Sequence, residues 1–384
     1  MPPTRDDGNL YITFISMGQG DCTMISFPNG KTMMIDCGTS RWDTESDDPN
    51  EDKTALYDSE RQRVHDIIYE ERFLKGYNTL DALILTHADK DHCNQLQLIM
   101  EPDITIRALY HSAVIDNYSQ GGAGAWLKTK VNVGARYAIT VNQTDSQING
   151  ANIANEENAA KINRKSVADA TKGFVRILEG KKGVGETCDA YIIASNVQGY
   201  LNVRDNSTQK NRGSVVTMIV YGNQKFLICG DATYNTEKFI MDTYNTDIKR
   251  VKDLELVQIG HHSSLTSSSH SSDNEPLISA IRFVDQVNPR TAIISAAPDA
   301  GQKLRLPRYD TVAKYLKGTR LNDKPNHSLN CWWINPAVYD EEGKKRKLLS
   351  PEIPEYGSKD LTKHIYSTGM VGPIDVERKD ADVR

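Results

Sequence analysis

Residues 80–92 read Leu-Asp-Ala-Leu-Ile-Leu-Thr-His-Ala-Asp-Lys-Asp-His, and this stretch decides the fold. Its first seven residues form a short apolar run with β-branched character. That length suits a strand buried on both faces better than a helix. The next six positions hold four ligand-type side chains, His87, Asp89, Asp91 and His92. Imidazole and carboxylate together suit zinc, manganese or iron, and added carboxylate shifts the preference toward harder ions. Asn94 to Met100 then suits a helix, and strand-to-helix junctions are where α/β proteins place chemistry.

Two other runs end in the same way. Lys225 to Cys229 leads into Gly230-Asp231-Ala232, and Leu254 to Ile259 into Gly260-His261-His262-Ser263-Ser264. A metal site needs side chains that converge from separate elements, and strand ends held by a sheet supply that convergence. A single His or Asp in such a turn is by default a cap or a solvated side chain. Three such turns at strand ends outweigh that default.

The flanking sequence is also β-rich. Leu10 to Ile15, Cys22 to Phe27 and Lys31 to Ile35 read as strands, with Asn29-Gly30 as a hairpin signal and Gly18-Gln19-Gly20-Asp21 as a tight turn. Gly222-Asn223 predicts a second hairpin between Ser214–Tyr221 and Lys225–Cys229. Ile104 to Tyr110, Ala190 to Ser195, Thr291 to Ser295 and Leu329 to Asn335 read as further strands. Tyr57 to Lys75 and Thr233 to Thr243 read as helices, the first amphipathic through Val64, Ile67, Ile68, Phe73 and Leu74. About Ser112 to Gly185, periodicity is weak and Gly, Asn, Gln and Ala accumulate. We read an insertion there, either a lid or a surface excursion, within a single domain spanning 1–384. Glu355 to Arg384 reads as loop-rich.

The bulk properties set limits. A chain of 384 residues with 38% hydrophobic and 25% charged residues is a globular protein with a real core. A net charge of −5 gives no global basic footprint for nucleic acid, which leaves only a local groove for such a role. No basic leader with an apolar stretch opens the sequence, and no run of about 18 apolar residues occurs. Six scattered cysteines without a CxxC pair suit reduced thiols. The expectation is a soluble cytoplasmic protein with no membrane contact; its oligomeric state is left open.

Thr86–His92 (THADKDH) resembles the metal motif of the metallo-β-lactamase superfamily, usually HxHxDH. Aspartate at position 89 in place of the second histidine resembles the branch found as the C-terminal hydrolase domain of competence-type (ComEC-like) DNA-uptake proteins. Residues 14–38 (FISMGQGDCTMISFPNGKTMMIDCG), 211–232 (NRGSVVTMIVYGNQKFLICGDA) and 259–264 (IGHHSS) resemble that branch's other segments, in the same order. The resemblance implies an α/β fold, a four-layer αββα sandwich of two mixed sheets with helices outside and metals at one edge. It implies a hydrolase using a metal-bound hydroxide, with one or two Zn²⁺ or Mn²⁺ ions. Asp91, His92 and His261 would bind one ion, His87 and Asp89 the other, and Asp231 would bridge both. Asp36 would orient a ligand. His262 would be a ligand or a proton donor, which makes Asp91, Asp231 and His262 the catalytic candidates.

The chain departs from that pattern at two points. No clear histidine supplies the ligand usually found between HxHxDH and GD; His111 lies in the interval without matching surroundings, and Asn211 and Ser214 stand where this branch has polar residues. Ser263 replaces the glycine of HHGS. The expected substrate is a phosphodiester in DNA, RNA or a nucleotide. Hydrolysis of a lactone, β-lactam or small ester is an alternative, and a non-catalytic metal-binding or regulatory module another. Three weaker features have bland readings: the serine-rich 263–272 as a surface loop, the basic residues of Lys161–Lys182 as a solvated face, and Cys93 as a buried small residue.

Overall fold

The structure is a computed structural model that describes residues 3–40, 53–113, 115–140, 160–163, 175–183, 187–197, 210–244, 251–264, 266–267, 282–297, 305–318, 320–333 and 355–378. Two large sheets form its centre. The first runs in the order Ile374–Arg378, Leu10–Phe14, Thr23–Ser26, Thr32–Ile35, Ala82–Leu85, Leu109–His111, Arg136–Thr140 and Ala160–Asn163. The second runs Val175–Glu179, Cys188–Ala194, Val216–Tyr221, Gln224–Ile228, Leu256–Gln258, Thr291–Ile294 and Ile365–Ser367.

Each sheet changes direction at one point. Antiparallel hairpins occupy one half, and the strands from Thr32–Ile35 and from Gln224–Ile228 onward pair in parallel. Both expected hairpins form, with Ser26 opposite Thr32 and Tyr221 opposite Gln224.

Alternation along the strands builds the layers. Ile12, Phe14, Ile35 and Ile84 of the first sheet meet Ile192, Ile219, Phe226 and Ile293 of the second in one buried cluster. The intervening residues face outward. Tyr11, Met34, Leu83 and Leu85 pack under Val64 and Ile68 of the helix Thr54–Ile68 and under Trp126 and Leu127 of the helix Ala123–Lys130. On the other side, Met218, Leu227, Val257 and Ile294 pack under Phe239 and Ile240 of the helix Tyr234–Thr243, with Phe283, Val284 and Val312. Each such side chain contributes about 1.5–3 kcal/mol when fully buried. Strands apolar on both faces read as continuous runs, which is why LDALILT has no alternation. The architecture is therefore αββα, as expected.

The structure corrects several boundaries. The helix expected over 57–75 ends at Ile68, and Phe73 and Leu74 are buried in the turns that follow. The strand expected over 104–110 divides into Thr105–Ile106 and Leu109–His111. The described part of the 112–185 segment contributes strands to both sheets. Its strands Arg136–Thr140 and Ala160–Asn163 extend the first sheet, and Val175–Glu179 forms an edge of the second. Residues 141–159, 164–174 and 184–186 lie outside the described residues.

The C-terminal stretch is strand-rich. Glu355–Lys363 pairs with Asp323–Trp333, Ile365–Ser367 joins Thr291–Ile294, and Ile374–Arg378 joins Leu10–Phe14. These edge strands are mostly half-exposed, so long-range pairing rather than apolar periodicity forms them. Among the described residues no helix is long and apolar enough to cross a membrane. The six cysteines are buried free thiols.

Candidate metal centre

The parallel strands of both sheets run to one edge, and every candidate residue lies just past such a strand end. Asp36 follows Thr32–Ile35, His87 follows Ala82–Leu85, Asp231 follows Gln224–Ile228, and His261–His262 follow Leu256–Gln258. Tight backbone contacts hold these loops. A Cβ on Gly38 would lie 2.5 Å from backbone atoms of Asp91, His92 and Cys93, so only glycine lets the IDCG turn press against the ligand loop. Gly230 has φ +51°, and a Cβ there would lie 2.7 Å from the Thr86 side chain. Asp36, His261, His262 and Ser263 take φ of +56°, +49°, +51° and +63°. Non-glycine residues held in this region are strained, and such strain concentrates at functional sites.

Asp231 is the hub. Its Oδ1 lies 3.3 Å from His92 Nε2 and 3.4 Å from His262 Nε2, while Oδ2 lies 3.7 Å from His87 Nε2 and 3.6 Å from His261 Nε2. His262 Nε2 is also 3.3 Å from Asp91 Oδ2, and His87 Nε2 is 3.4 Å from Asp89 Oδ2. These spacings exceed good hydrogen bonds. They match the edge of a tetrahedron, because two donors each about 2.1 Å from one ion lie about 3.4 Å apart.

The orphaned atoms agree. Nε2 of His87, His92 and His262 and Oδ1 of Asp231 are buried without a hydrogen-bond partner. Buried polar atoms left unpaired are costly, and divalent cations held between them would satisfy all four. The residues therefore fit a divalent ion.

The other ring nitrogens are tied down, which fixes the tautomers. His92 Nδ1 donates to Asp36 Oδ2 at 2.7 Å, and His262 Nδ1 donates to the Ser295 carbonyl at 2.5 Å. Asp36 also accepts from Thr86 N at 2.8 Å and Thr86 Oγ1 at 2.6 Å. With its Nδ1–H so engaged, each imidazole would present an Nε2 lone pair to a bound ion, as a ligand oriented by a carboxylate or carbonyl does.

Electrostatics run the same way. Burial pushes the Asp231 carboxyl up, but His262, His92 and His261 outweigh it and hold it well below the usual carboxylate range. Burial opposes charge on His262, yet Asp231, Asp91 and Asp21 raise it to about 10. His92 is raised well above the ordinary imidazole range against its burial, by Asp231 and Asp36. The carboxylates draw positive charge into the site, a demand that a divalent cation meets.

The partition of histidines differs from the one implied by resemblance. His262, not His261, faces Asp91, because the left-handed turn swings the two consecutive rings apart. His261 instead looks toward Asp231 Oδ2, with Nδ1 2.6 Å from Thr266 Oγ1 and Nε2 accepting from Asn211 Nδ2 at 2.9 Å. His111 is not in the cluster. It is buried with Nδ1 on the Ala113 carbonyl, and burial lowers its pKa to about 4.

Asp21 is the member that sequence reasoning treated only as part of a tight turn. Asp21, His92, Asp231 and His262 each offer a ligand atom within 4.8 Å of one another. Asp21 Oδ1 accepts from Gln258 Nε2 at 2.8 Å, and its nearest approach to His92, 3.7 Å, is on the Nδ1 side that Asp36 already fills. It therefore lies beneath the ring rather than among the Nε2 atoms. The GQGD signature at the strand end was the signal. Among the basic residues of 161–182, Arg176, Lys181 and Lys182 pair with Asp189, Glu179 and Asp6; Arg164, Lys165 and Lys172 lie outside the described residues. Residues 268–272 of the serine-rich loop also lie outside them.

Two facing sheets, helices on both outer faces and a His/Asp cluster past the parallel strand ends decide the assignment. This is the αββα architecture that the resemblance to the metallo-β-lactamase superfamily implies. No family model matches the chain. Over 294 residues it is 22% identical to the ComE operon protein 3 of Bacillus subtilis, covering 74% of this chain and 28% of that protein. The chain thus spans little more than a quarter of that relative's length. Similar solved structures include two that are covered almost whole. The short form of human tRNase Z is 11% identical with a TM-score of 0.36, over 74% of this chain and 91% of that one. The metallo-β-lactamase fold protein YhfI of Bacillus subtilis is 9% identical with a TM-score of 0.34, over 80% and 93%.

Proposed function

We propose that the chain is a metal-dependent hydrolase of phosphodiesters, acting on DNA, RNA or a nucleotide. The observation that carries this reading is the convergence of the orphaned Nε2 atoms of His87, His92 and His262 on the two oxygens of the buried Asp231 carboxylate. In this reading Asp91, His92, His262 and Asp231 hold a Zn²⁺ or Mn²⁺ ion, and His87, Asp89 and Asp231 form a second position. A bound divalent ion supplies Lewis acidity, which acidifies water and polarises a phosphoryl oxygen.

The chain's own residues do the rest. Asp36 and the Ser295 carbonyl fix the two imidazoles, and Asp231 spans both positions with its two oxygens. His262 is 2% exposed and aimed inward, so it serves as a ligand rather than as a proton donor to the leaving group. The carboxylate-rich donor set favours a hard ion suited to phosphoryl oxygen. The likeness to the ComE operon protein 3, and the resemblance to hydrolase domains of DNA-uptake proteins, support the phosphodiester over a lactone or ester. The cost of burying His87, His92, His262 and Asp231 together counts against a module that binds no metal.

The test is hydrolysis of bis-p-nitrophenyl phosphate by metal-stripped protein after addition of Zn²⁺ or Mn²⁺. Turnover should require the metal, and Asp91→Ala should reduce it to background while its circular dichroism stays unchanged. Full activity in Asp91→Ala would overturn the site. Stoichiometric metal binding without turnover would redirect the reading to lactones and esters.

A further inference from the structure

The two ion positions are not equivalent. At the position made by Asp91, His92, His262 and Asp231, the inward-facing nitrogens have no protein partner, and their rings are anchored from behind. At the position beside His87, His87 Nε2 is likewise unpaired and faces Asp89 Oδ2 at 3.4 Å, but two neighbouring residues hold the other donor atoms. Lys210 Nζ lies 2.8 Å from Asp89 Oδ1, and Asn211 Nδ2 donates to His261 Nε2 at 2.9 Å. The Asn211 orientation follows from His261, whose Nδ1 faces Thr266 Oγ1 and so leaves Nε2 as the acceptor. Asn211 is buried, so this contact is shielded from competing water. No other histidine comes to this position among the described residues, since His111 is turned to the Ala113 carbonyl.

We infer that Lys210 and Asn211 act as a built-in cap on the His87–Asp89 position, so that the centre holds one divalent ion tightly and admits a second only weakly. The inference rests on the metal-dependent reading above. A lysine ammonium delivers one positive charge to Asp89 and repels a divalent ion approaching the same carboxylate. Asn211 withholds His261, so that among the described residues His87 is the imidazole left to that position. Opening the cap requires Lys210 to swing into solvent, which its 62% exposed side chain permits. The device makes second-ion occupancy responsive to free metal and to any anion that draws Lys210 away.

The experiment measures Mn²⁺ bound per chain by equilibrium dialysis and elemental analysis, for the wild-type chain, Lys210→Met and Asp89→Asn. Wild type should bind one equivalent tightly. Lys210→Met should gain a second equivalent, with that step tightened by about tenfold, the repulsion between a unit and a divalent charge some 6 Å apart at the permittivity of water. Asp89→Asn should keep the single wild-type equivalent. Two equivalents of like affinity in wild type would overturn the inference and leave the metal reading intact. So would a single equivalent in Lys210→Met, or loss of the tight ion in Asp89→Asn. No bound ion in wild type would remove the metal reading, and the inference with it.

Discussion

Asp36→Asn isolates one charge at the back of the centre. Asp36 is fully buried at φ +56°, a conformation that asparagine tolerates well, so the substitution changes neither shape nor backbone strain. What changes is acceptor capacity. The carboxylate now takes three hydrogen bonds, from Thr86 N, Thr86 Oγ1 and His92 Nδ1, at 2.8, 2.6 and 2.7 Å. The amide that replaces it keeps one acceptor oxygen, and its NH₂ must take either the Oδ2 side, where Thr86 Oγ1 and His92 Nδ1 both donate, or the Oδ1 side, against the Thr86 N–H. If the NH₂ donates to His92 Nδ1, the ring must carry its proton on Nε2, the atom aimed at Asp231. If it faces the Thr86 N–H, the ring keeps its tautomer but shares a weaker, uncharged acceptor. Both routes weaken the ligand. Metal affinity should fall by about 10–100-fold, the usual consequence of removing a partner that orients a ligating histidine. The metal-free protein should lose roughly 1.5–3 kcal/mol, as expected for a buried hydrogen bond to a charged group. Competition with a chromophoric chelator reads the first quantity, and urea unfolding of stripped protein reads the second. Wild-type metal affinity in a destabilised variant would refute the tautomer argument, because Asp36 would then act only as structural support.

Two further outcomes test other parts of the molecule. Gly38→Ala places a methyl 2.5 Å from the Asp91–Cys93 backbone, so it should destabilise by about 1–3 kcal/mol and loosen metal binding; a melt matching wild type would show that the IDCG turn does not brace the ligand loop. His111 carries the pH signature. Burial lowers its pKa to about 4 in the folded protein, below the value of about 6.5 expected unfolded. As pH falls the unfolded chain takes up this proton first. Stability from this group is therefore complete above about pH 6.5 and declines toward pH 4, by roughly 3 kcal/mol in all. His111→Asn keeps a donor for the Ala113 carbonyl and removes the titration, so its urea midpoint should fall less than that of wild type between pH 7.5 and 4.5. Parallel pH slopes would contradict the assignment.

Much of this was legible in the residues themselves. Apolar runs stopping abruptly at His87, Asp231 and His261 announced strands that end in chemistry, because a strand buried on both faces has to be continuously apolar. Asn29-Gly30 and Gly222-Asn223 announced the hairpins through turn stereochemistry. Helix ends and the strands of 136–179 and 355–378 were less legible. Their side chains are polar or mixed, and they form by pairing with partners far away in sequence, such as Ile374–Arg378 with Leu10–Phe14.

The sequence by itself determined which residue types could hold an ion and which strand ends would carry them. Only the tertiary structure decided how they divide. Two adjacent histidines look equivalent in a string, but three consecutive residues at positive φ turn His262 toward Asp91 and His261 toward Asn211. The placement of Asp21 beneath the ring and of Lys210 on Asp89 joins residues 237 and 121 positions apart from their partners. Contacts of that kind depend on two sheets meeting at one edge, and no local pattern encodes that meeting.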